Sequence, residues 1–243
     1  MANMIREHLH NTAWWGQPVA AVEEAAFFAL EAAAQLAALR PYAWAEFKSP
    51  LASAPPLLQV AASGFTLVDV QIGFRLLPGA VPDAPSLAQL DCQFADEKRF
   101  EIGVGETQAF AQERFSQLPG ASPERLAGRY IRWANQLVQE HPQGCVCVRY
   151  QGQVQGWFLA TPTERGWYLA LAMLSQTAQV SGLHLYQKAI RAYAARGARL
   201  GFASFSVRNT AVLNIYAQLG ARFTPAEGVW LWHPGTERRT KPM

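Results

Sequence analysis

The chain has 243 residues, half of them hydrophobic, enough for a sizeable core in one large domain or two small ones, which excludes a disordered tail. Its net charge of +3 is uneven: residues 1–90 carry four Lys/Arg against seven Asp/Glu, and residues 91–243 carry 17 against 11. No apolar run is long enough to span a bilayer, and no Lys/Arg run with interleaved aromatics points to nucleic acid.

The opening "MANMIREHLHNT" has no apolar core of the kind a secretory signal needs, so the cytoplasm is the expected compartment. The Ala-rich run over 21–39 is broken by Glu23, Glu24 and Glu31 and reads as one amphipathic helix. "YAWAEFK" reads as a strand, "PPLLQVAASG" as a helix with Pro56 in its first turn, and "TLVDVQIGFRL" as a second strand. Pro78, Pro82 and Pro85 then break both helix and strand, which predicts a linker at 77–86 and domains over 1–85 and 86–243.

Beyond the prolines, "GETQAFAQERF" and "SPERLAGRYIRWANQLVQEH" read as helices, the second capped by Ser122 with Pro123 at its first position. "CVCVRYQGQVQGWFLATP" reads as a hairpin turning at Gln151-Gly152. Cys145 and Cys147 share one strand face there, which suits packed thiols better than a metal site or a disulfide; with Cys92 the cysteine count is odd. No His, Cys, Asp or Glu cluster has metal-ligand spacing, so no metal is expected.

"WYLALAML" is an apolar strand. It leads through the small-residue loop "SQTAQVSG" into a helix bearing Leu183, Tyr186, Ile190 and Tyr193 on one face. The first N–H groups of such a helix lack internal partners, and Gly182 permits close approach of a ligand. That geometry suits a phosphate, though it also suits an ordinary turn. His184 reads as a surface histidine or a general base.

"RLGFASFSV" alternates like a strand, and "ARF" opens another. Between them Asn209 caps a helix that puts Val212, Ile215, Tyr216 and Leu219 on one face, with Gly220 at the left-handed position past its end. Tyr216 is there either as a core aromatic or as a reacting phenol. The order strand, polar turn, short helix, glycine, strand occurs twice, at 46–74 and at 204–232, as two copies of one unit would produce.

The order of elements after residue 88, ending in "NTAVLNIYAQLGA" (209–221), resembles the GNAT superfamily of acyl-CoA N-acyltransferases. "AFAQERF" (109–115), "RYIRW" (129–133), "AYAARG" (192–197), "NTAWWG" (11–16) and "ASGFTLVDVQIGF" (62–74) resemble its dTDP-fucosamine N-acetyltransferase branch, which acetylates a nucleotide-linked amino-dideoxy sugar. The resemblance implies a mixed α/β fold whose central sheet splays open, preceded by a small α/β domain, which the repeated order at 46–74 and 204–232 makes a candidate partial copy of the same unit. It implies acetyl-CoA as co-substrate, a dTDP-amino sugar of cell-surface polysaccharide (lipopolysaccharide) synthesis as acceptor, and a homodimer as a possible state.

Carried onto this chain, the resemblance lays pantetheine along Leu171, Ala172, Met173 and Leu174, between "WYLALAML" and "RLGFASFSV". The pyrophosphate falls on the backbone of 177–182, through Thr177, Gln179, Val180, Ser181 and Gly182, and Asn209 helps hold the cofactor. The family's loop reads Gln/Arg-x-x-Gly-x-Gly/Ala; here only Gly182 is kept, with Thr177 and Val180 at the other two places. Tyr216 matches the tyrosine that protonates the departing thiolate. No acid stands on "WYLALAML", so the base is Glu113 or a water chain. Trp14, Trp15, Arg114 and Trp133, with Trp44, are candidates to meet the sugar or base. Another amine (an aminoglycoside, a polyamine, a protein N-terminus) and a non-catalytic acyl-CoA-binding module remain open.

Overall fold

A computed structural model describes residues 4–52, 55–110 and 113–236. The elements, in chain order, are β1 (Ile5–Glu7), α1 (Leu9–Trp15), β2 (Val19–Val22), α2 (Ala32–Leu39), β3 (Trp44–Pro50), α3 (Leu57–Ala62), β4 (Thr66–Leu76) and β5 (Leu90–Phe94). They continue with α4 (Pro123–Glu140), β6 (Cys145–Tyr150), β7 (Gln153–Thr163), β8 (Gly166–Leu174), α5 (Gly182–Ala195), β9 (Gly201–Ser206), α6 (Thr210–Gln218) and β10 (Arg222–Trp232). The chain is therefore of the mixed α/β class expected. Among the described residues no helix is long and apolar enough to cross a membrane.

The chain forms two compact units. Of the described residues, the first comprises those up to Ile72, Gln117–Gly120 and 225–236; the second comprises those within 73–116 and 121–224. The proline stretch therefore lies inside the second unit and not at a boundary near residue 85. Prolines there interrupt regular structure without interrupting packing: Val81 and Leu87 are buried in the second unit's core. Arg191 donates to the Val81 carbonyl at 3.0 Å and Lys188 to that of Leu87 at 3.0 Å.

In the first unit β1 runs antiparallel to β2, β2 parallel to β3, and β3 antiparallel to β10. Phe27, Phe28, Phe47 and Phe65 pack on Val60, Trp230 and Trp232 to fill its core. The single helix expected over 21–39 is instead the end of β2, a 3₁₀ segment at Ala25–Ala29, and α2. Two interactions invisible to local periodicity decide this. Val19 to Val22 pair with Trp44 to Phe47, and the buried Gln35 Nε2 donates to the carbonyls of Phe27, Phe28 and Leu30. The helix expected at 105–115 is likewise two 3₁₀ segments, Val104–Phe110 and Arg114–Gln117.

In the second unit β5, β6, β7 and β8 are antiparallel neighbours and β9 runs parallel to β8. The hairpin turns at Gln151 (φ 48°) and Gly152 (φ 79°), two left-handed residues that match strand twist. Side chains alternate across the sheet. Phe158 and Ala160 face α5 and α6, while Trp157 and Leu159 face α4 with Cys145 and Cys147. Both thiols are free, and burial pushes that of Cys145 up to about 12, so they act as packing groups. Ser122 caps α4 through the Arg125 N–H with Pro123 next to it, as the sequence indicates.

Candidate functional site

Parallel strands β8 and β9 begin as partners and then part. Trp167 faces Gly201 and Tyr168 faces Phe202. Among the described residues no further pair follows, although β8 continues to Leu174 and β9 to Ser206. A bulge sits where they part: Leu159 faces Leu171 and Thr161 faces Tyr168, so Leu169 and Ala170 together oppose one residue of β7. The extra residue switches the pleat. Leu169 lies in the core under α5 and α6, while Leu171 and Met173 lie in the core under α4. The edge of β8 from the bulge to Leu174 is left without β9 as partner, so its backbone groups can pair with a ligand. Ala172 packs toward α5 and α6, and Leu174 is 41% exposed.

The loop after β8 is held from two sides. At its start the Glu106 carboxylate accepts the Gln176 N–H at 2.9 Å and the Ser175 hydroxyl at 3.3 Å. Further on, the Gln155 side-chain oxygen accepts the Gln179 N–H at 2.6 Å. The Thr177 N–H meets the Ser175 hydroxyl at 3.4 Å, and Ala178 donates to the Ser175 carbonyl. Four successive amides, 176 to 179, those of Thr177 and Gln179 among them, thus have acceptors inside the protein. Val180, Ser181, Gly182 and Leu183 are different: among the described residues no acceptor meets their N–H groups. They open α5, whose cap is the Ser181 hydroxyl on the His184 N–H. Four free amides stand at the positive end of a 14-residue helix, a geometry able to accept an anion. His184 sits beside them, its ring nitrogens 3.1 Å from the Ser181 hydroxyl and 3.3 Å from that of Ser86. Gly182 also has a packing reason to be glycine: a Cβ there would stand 3.1 Å from Ile215 Cδ1 on α6.

Asn209 caps α6, its side-chain oxygen accepting the Val212 N–H at 3.1 Å, and Gly220 follows the helix at φ 77°. Asn209→Ala should cost about 1 kcal/mol of unfolding free energy, read as a lower urea midpoint. Tyr216 sits on the inner face of this helix, 4% exposed. Its ring lies 3.8 Å from that of Phe74, 5.8 Å from Phe205 on β9 and 5.3 Å from Tyr186 on α5, centroid to centroid. Burial holds its pKa well above the usual phenol value, helped by the neighbouring Tyr186 and Tyr193 phenols. The phenol is therefore neutral at physiological pH and able to donate.

Glu113 and Arg114 lie on the other face of the sheet. Glu113 stands 3.8 Å from Arg114, with side chains 11% and 15% exposed. Beside them is Tyr130 of α4, whose hydroxyl pKa is raised by burial first and by the Glu113 charge second. Phe115 is flanked by the guanidiniums of Arg114 (4.5 Å) and Arg129 (4.7 Å), and Trp133 meets the Tyr130 ring at 6.1 Å. The Arg114 charge also acts on Tyr168, the last β8 residue paired with β9, so this cluster lies near the point where the strands part. Trp14, Trp15 and Trp44 form an edge-to-face trio in the first unit, with Trp15 and Trp44 buried. The four aromatic and arginine candidates for the acceptor are thus split: Trp14 and Trp15 in the first unit, Arg114 and Trp133 in the second.

Sequence reasoning missed Glu106, Gln155, Leu183 and the aromatic group around Tyr216. Gln155 had a signal: it is a polar residue inside the apolar strand β7 and is fully buried.

No family profile matches the sequence, and no curated protein matches it. Solved structures do. A GCN5-related N-acetyltransferase from Sphaerobacter thermophilus superposes with a TM-score of 0.52 at 16% identity, covering 78% of this chain. A tandem GNAT protein from the clavulanic acid biosynthesis pathway gives 0.52 at 18% identity, covering 90% of this chain and 76% of its own. The fold is the GNAT fold. A third neighbour, the GCN5-related glucosamine N-acetyltransferase region of a fungal multi-domain GH3 β-N-acetylglucosaminidase, gives 0.56 at 10% identity, covering 89% of this chain and 30% of its own. This chain spans 59% of the length of the Sphaerobacter protein. In GNAT terms, the parted strands β8 and β9 form the splayed centre of the sheet.

Proposed function

We propose that this chain is an acyl-CoA-dependent N-acyltransferase acting on the amine of a nucleotide-linked amino sugar, with dTDP as the nucleotide. The observation that carries the reading is the gap beyond Tyr168 and Phe202, with free amides at 180–183 where the loop that follows β8 enters α5 and the Tyr216 ring of α6 stacked on Phe205 of β9. An acyl thioester fits such a gap: its pantetheine amides pair with the free edge of β8, and its diphosphate takes the N–H groups of 180–183. The sugar acceptor rests on the sequence likeness and on the positive balance of residues 91–243. A neighbour that is a glucosamine N-acetyltransferase region agrees with it.

The chemistry follows from the two faces. The acceptor nitrogen loses a proton to Glu113 or to water, its lone pair adds to the thioester carbonyl, and the C–S bond breaks. Tyr216 delivers its proton to the sulfur as negative charge develops there. A backbone N–H of β8 serves as the donor to the carbonyl oxygen as negative charge develops on it. Base and acid on opposite faces suit a reaction in which the amine enters from one side and the thiolate departs on the other.

The first unit reads as a partial second copy without this chemistry. β3, α3, Gly64 (φ 85°) and β4 repeat the order of β9, α6, Gly220 (φ 77°) and β10. Its parallel pair, β2 and β3, is joined at all four β2 positions, and Val60 stands four residues before its glycine, where the second unit has Tyr216. Acyl transfer is therefore assigned to the second unit alone.

Incubation with acetyl-CoA and a panel of dTDP- and UDP-amino sugars should release free thiol with a dTDP-amino sugar. Release only with polyamines or peptides would overturn the acceptor, and CoA binding without release from any amine would make the protein a binding module.

A further inference from the structure

We propose that Gln155 is a positioning residue for the diphosphate of the acyl donor, acting through the loop 175–181; the inference rests on the acyl-CoA reading above. Gln155 lies on β7, with no exposed surface, one strand away from the gap. Its backbone carbonyl accepts the Ser175 N–H at 2.9 Å, and its side-chain oxygen accepts the Gln179 N–H at 2.6 Å. One residue thus fixes both ends of the turn between β8 and α5. The carboxamide nitrogen is anchored in turn on the Gln153 carbonyl at 3.3 Å, and the Gln179 side chain reaches the Gln153 side-chain oxygen at 3.2 Å.

The consequence is geometric. With Gln179 N–H drawn inward, the chain leaves the turn at residue 180 with its next four N–H groups unclaimed, and these are the ones α5 offers to an anion. This chain lacks two of the three residues that the GNAT loop pattern supplies, with Thr177 and Val180 in their places. A buried carboxamide from the neighbouring strand provides a fixed anchor that a glycine-poor loop cannot provide through its own backbone. Glu106 performs the matching service at Gln176, and the segment that carries it is joined to the loop again through Gly105, whose carbonyl accepts the Gln176 side-chain N–H at 2.6 Å.

The test compares ligands with and without the diphosphate. CoA and pantetheine binding are measured by calorimetry or competition on the wild type and on Gln155→Met, which keeps the shape of the side chain and loses its acceptor. Gln155→Met should weaken CoA about tenfold, the loss of one well-placed hydrogen bond, and leave pantetheine within twofold. Amides 176–183 should exchange hydrogen faster in the variant. If the methionine variant does not fold, Gln155→Asn, one methylene short of the Gln179 amide, gives the same comparison. Equal loss for CoA and pantetheine, or no loss for either, would overturn the assignment while leaving the acyl-CoA reading intact. A wild type that binds no CoA would overturn that reading and this one with it.

Discussion

Tyr216→Phe should lower the turnover of acetyl-CoA by about 10²–10³-fold while leaving CoA affinity within about twofold, the range expected for loss of a positioned proton donor. The substitution is clean because the ring, not the hydroxyl, makes the contacts with Phe74, Phe205 and Tyr186, and a phenylalanine keeps all three. The fold should therefore survive. The pH dependence has a definite sign. Burial raises the Tyr216 pKa well above 10, so the donor stays protonated through neutral and mildly alkaline solution. The wild-type rate should rise with pH as the acceptor amine loses its proton, without a falling limb from the acid below about pH 10. The variant should show the same rise on a much lower plateau. An unchanged rate in Tyr216→Phe would remove the phenol from the chemistry and return it to the aromatic core.

The largest expected stability effect lies away from the site. Gly144 precedes β6, and a Cβ there would stand 1.9 Å from the Ala160 carbonyl oxygen and 2.9 Å from its carbon. Both are backbone atoms of β7, so no side chain can swing aside. Gly144→Ala should cost about 3 kcal/mol, at the upper end for overpacking, and lower the melting temperature by roughly 6–12 °C. The same corner is fastened by Tyr193, whose hydroxyl lies 2.8 Å from both the Gly144 and the Phe158 carbonyl oxygens. Tyr193→Phe should cost about 2 kcal/mol, because a buried donor shared between two carbonyls is lost. The double variant should lose less than the sum, since the displaced Gly144 carbonyl no longer gains from the hydroxyl. Calorimetric melting of the three variants checks both the sizes and the coupling.

What could be read from the sequence was mostly its punctuation. Ser122-Pro123, Asn209, Gly220 and the Gln151-Gly152 turn all act through neighbours within a few residues, and each does so in the structure. The parting of β8 from β9 was expected from the family likeness. The bulge that accompanies it, and that sends Leu169 and Leu171 to opposite faces, leaves no mark in an uninterrupted apolar run. Illegible features share a cause. The Ala-rich stretch at 21–39 is divided by pairing with β3 and by Gln35, and the Gln176 and Gln179 amides are claimed by Glu106 and Gln155, which lie far off in sequence. Local period also could not show that the proline stretch is packed under Arg191 and Lys188. Composition marks where regular structure stops; only long-range contacts mark where a compact unit stops.

The pairing of β3 with β10 has a consequence for the birth of the protein. During translation β3 is made early, yet the strand that completes its sheet, together with Trp230 and Trp232 of its core, emerges after every other strand described. For most of synthesis the nascent first unit therefore lacks the strand that covers the β3 edge and two of the aromatic side chains of its core, so that its sheet closes only when the last strand has been made.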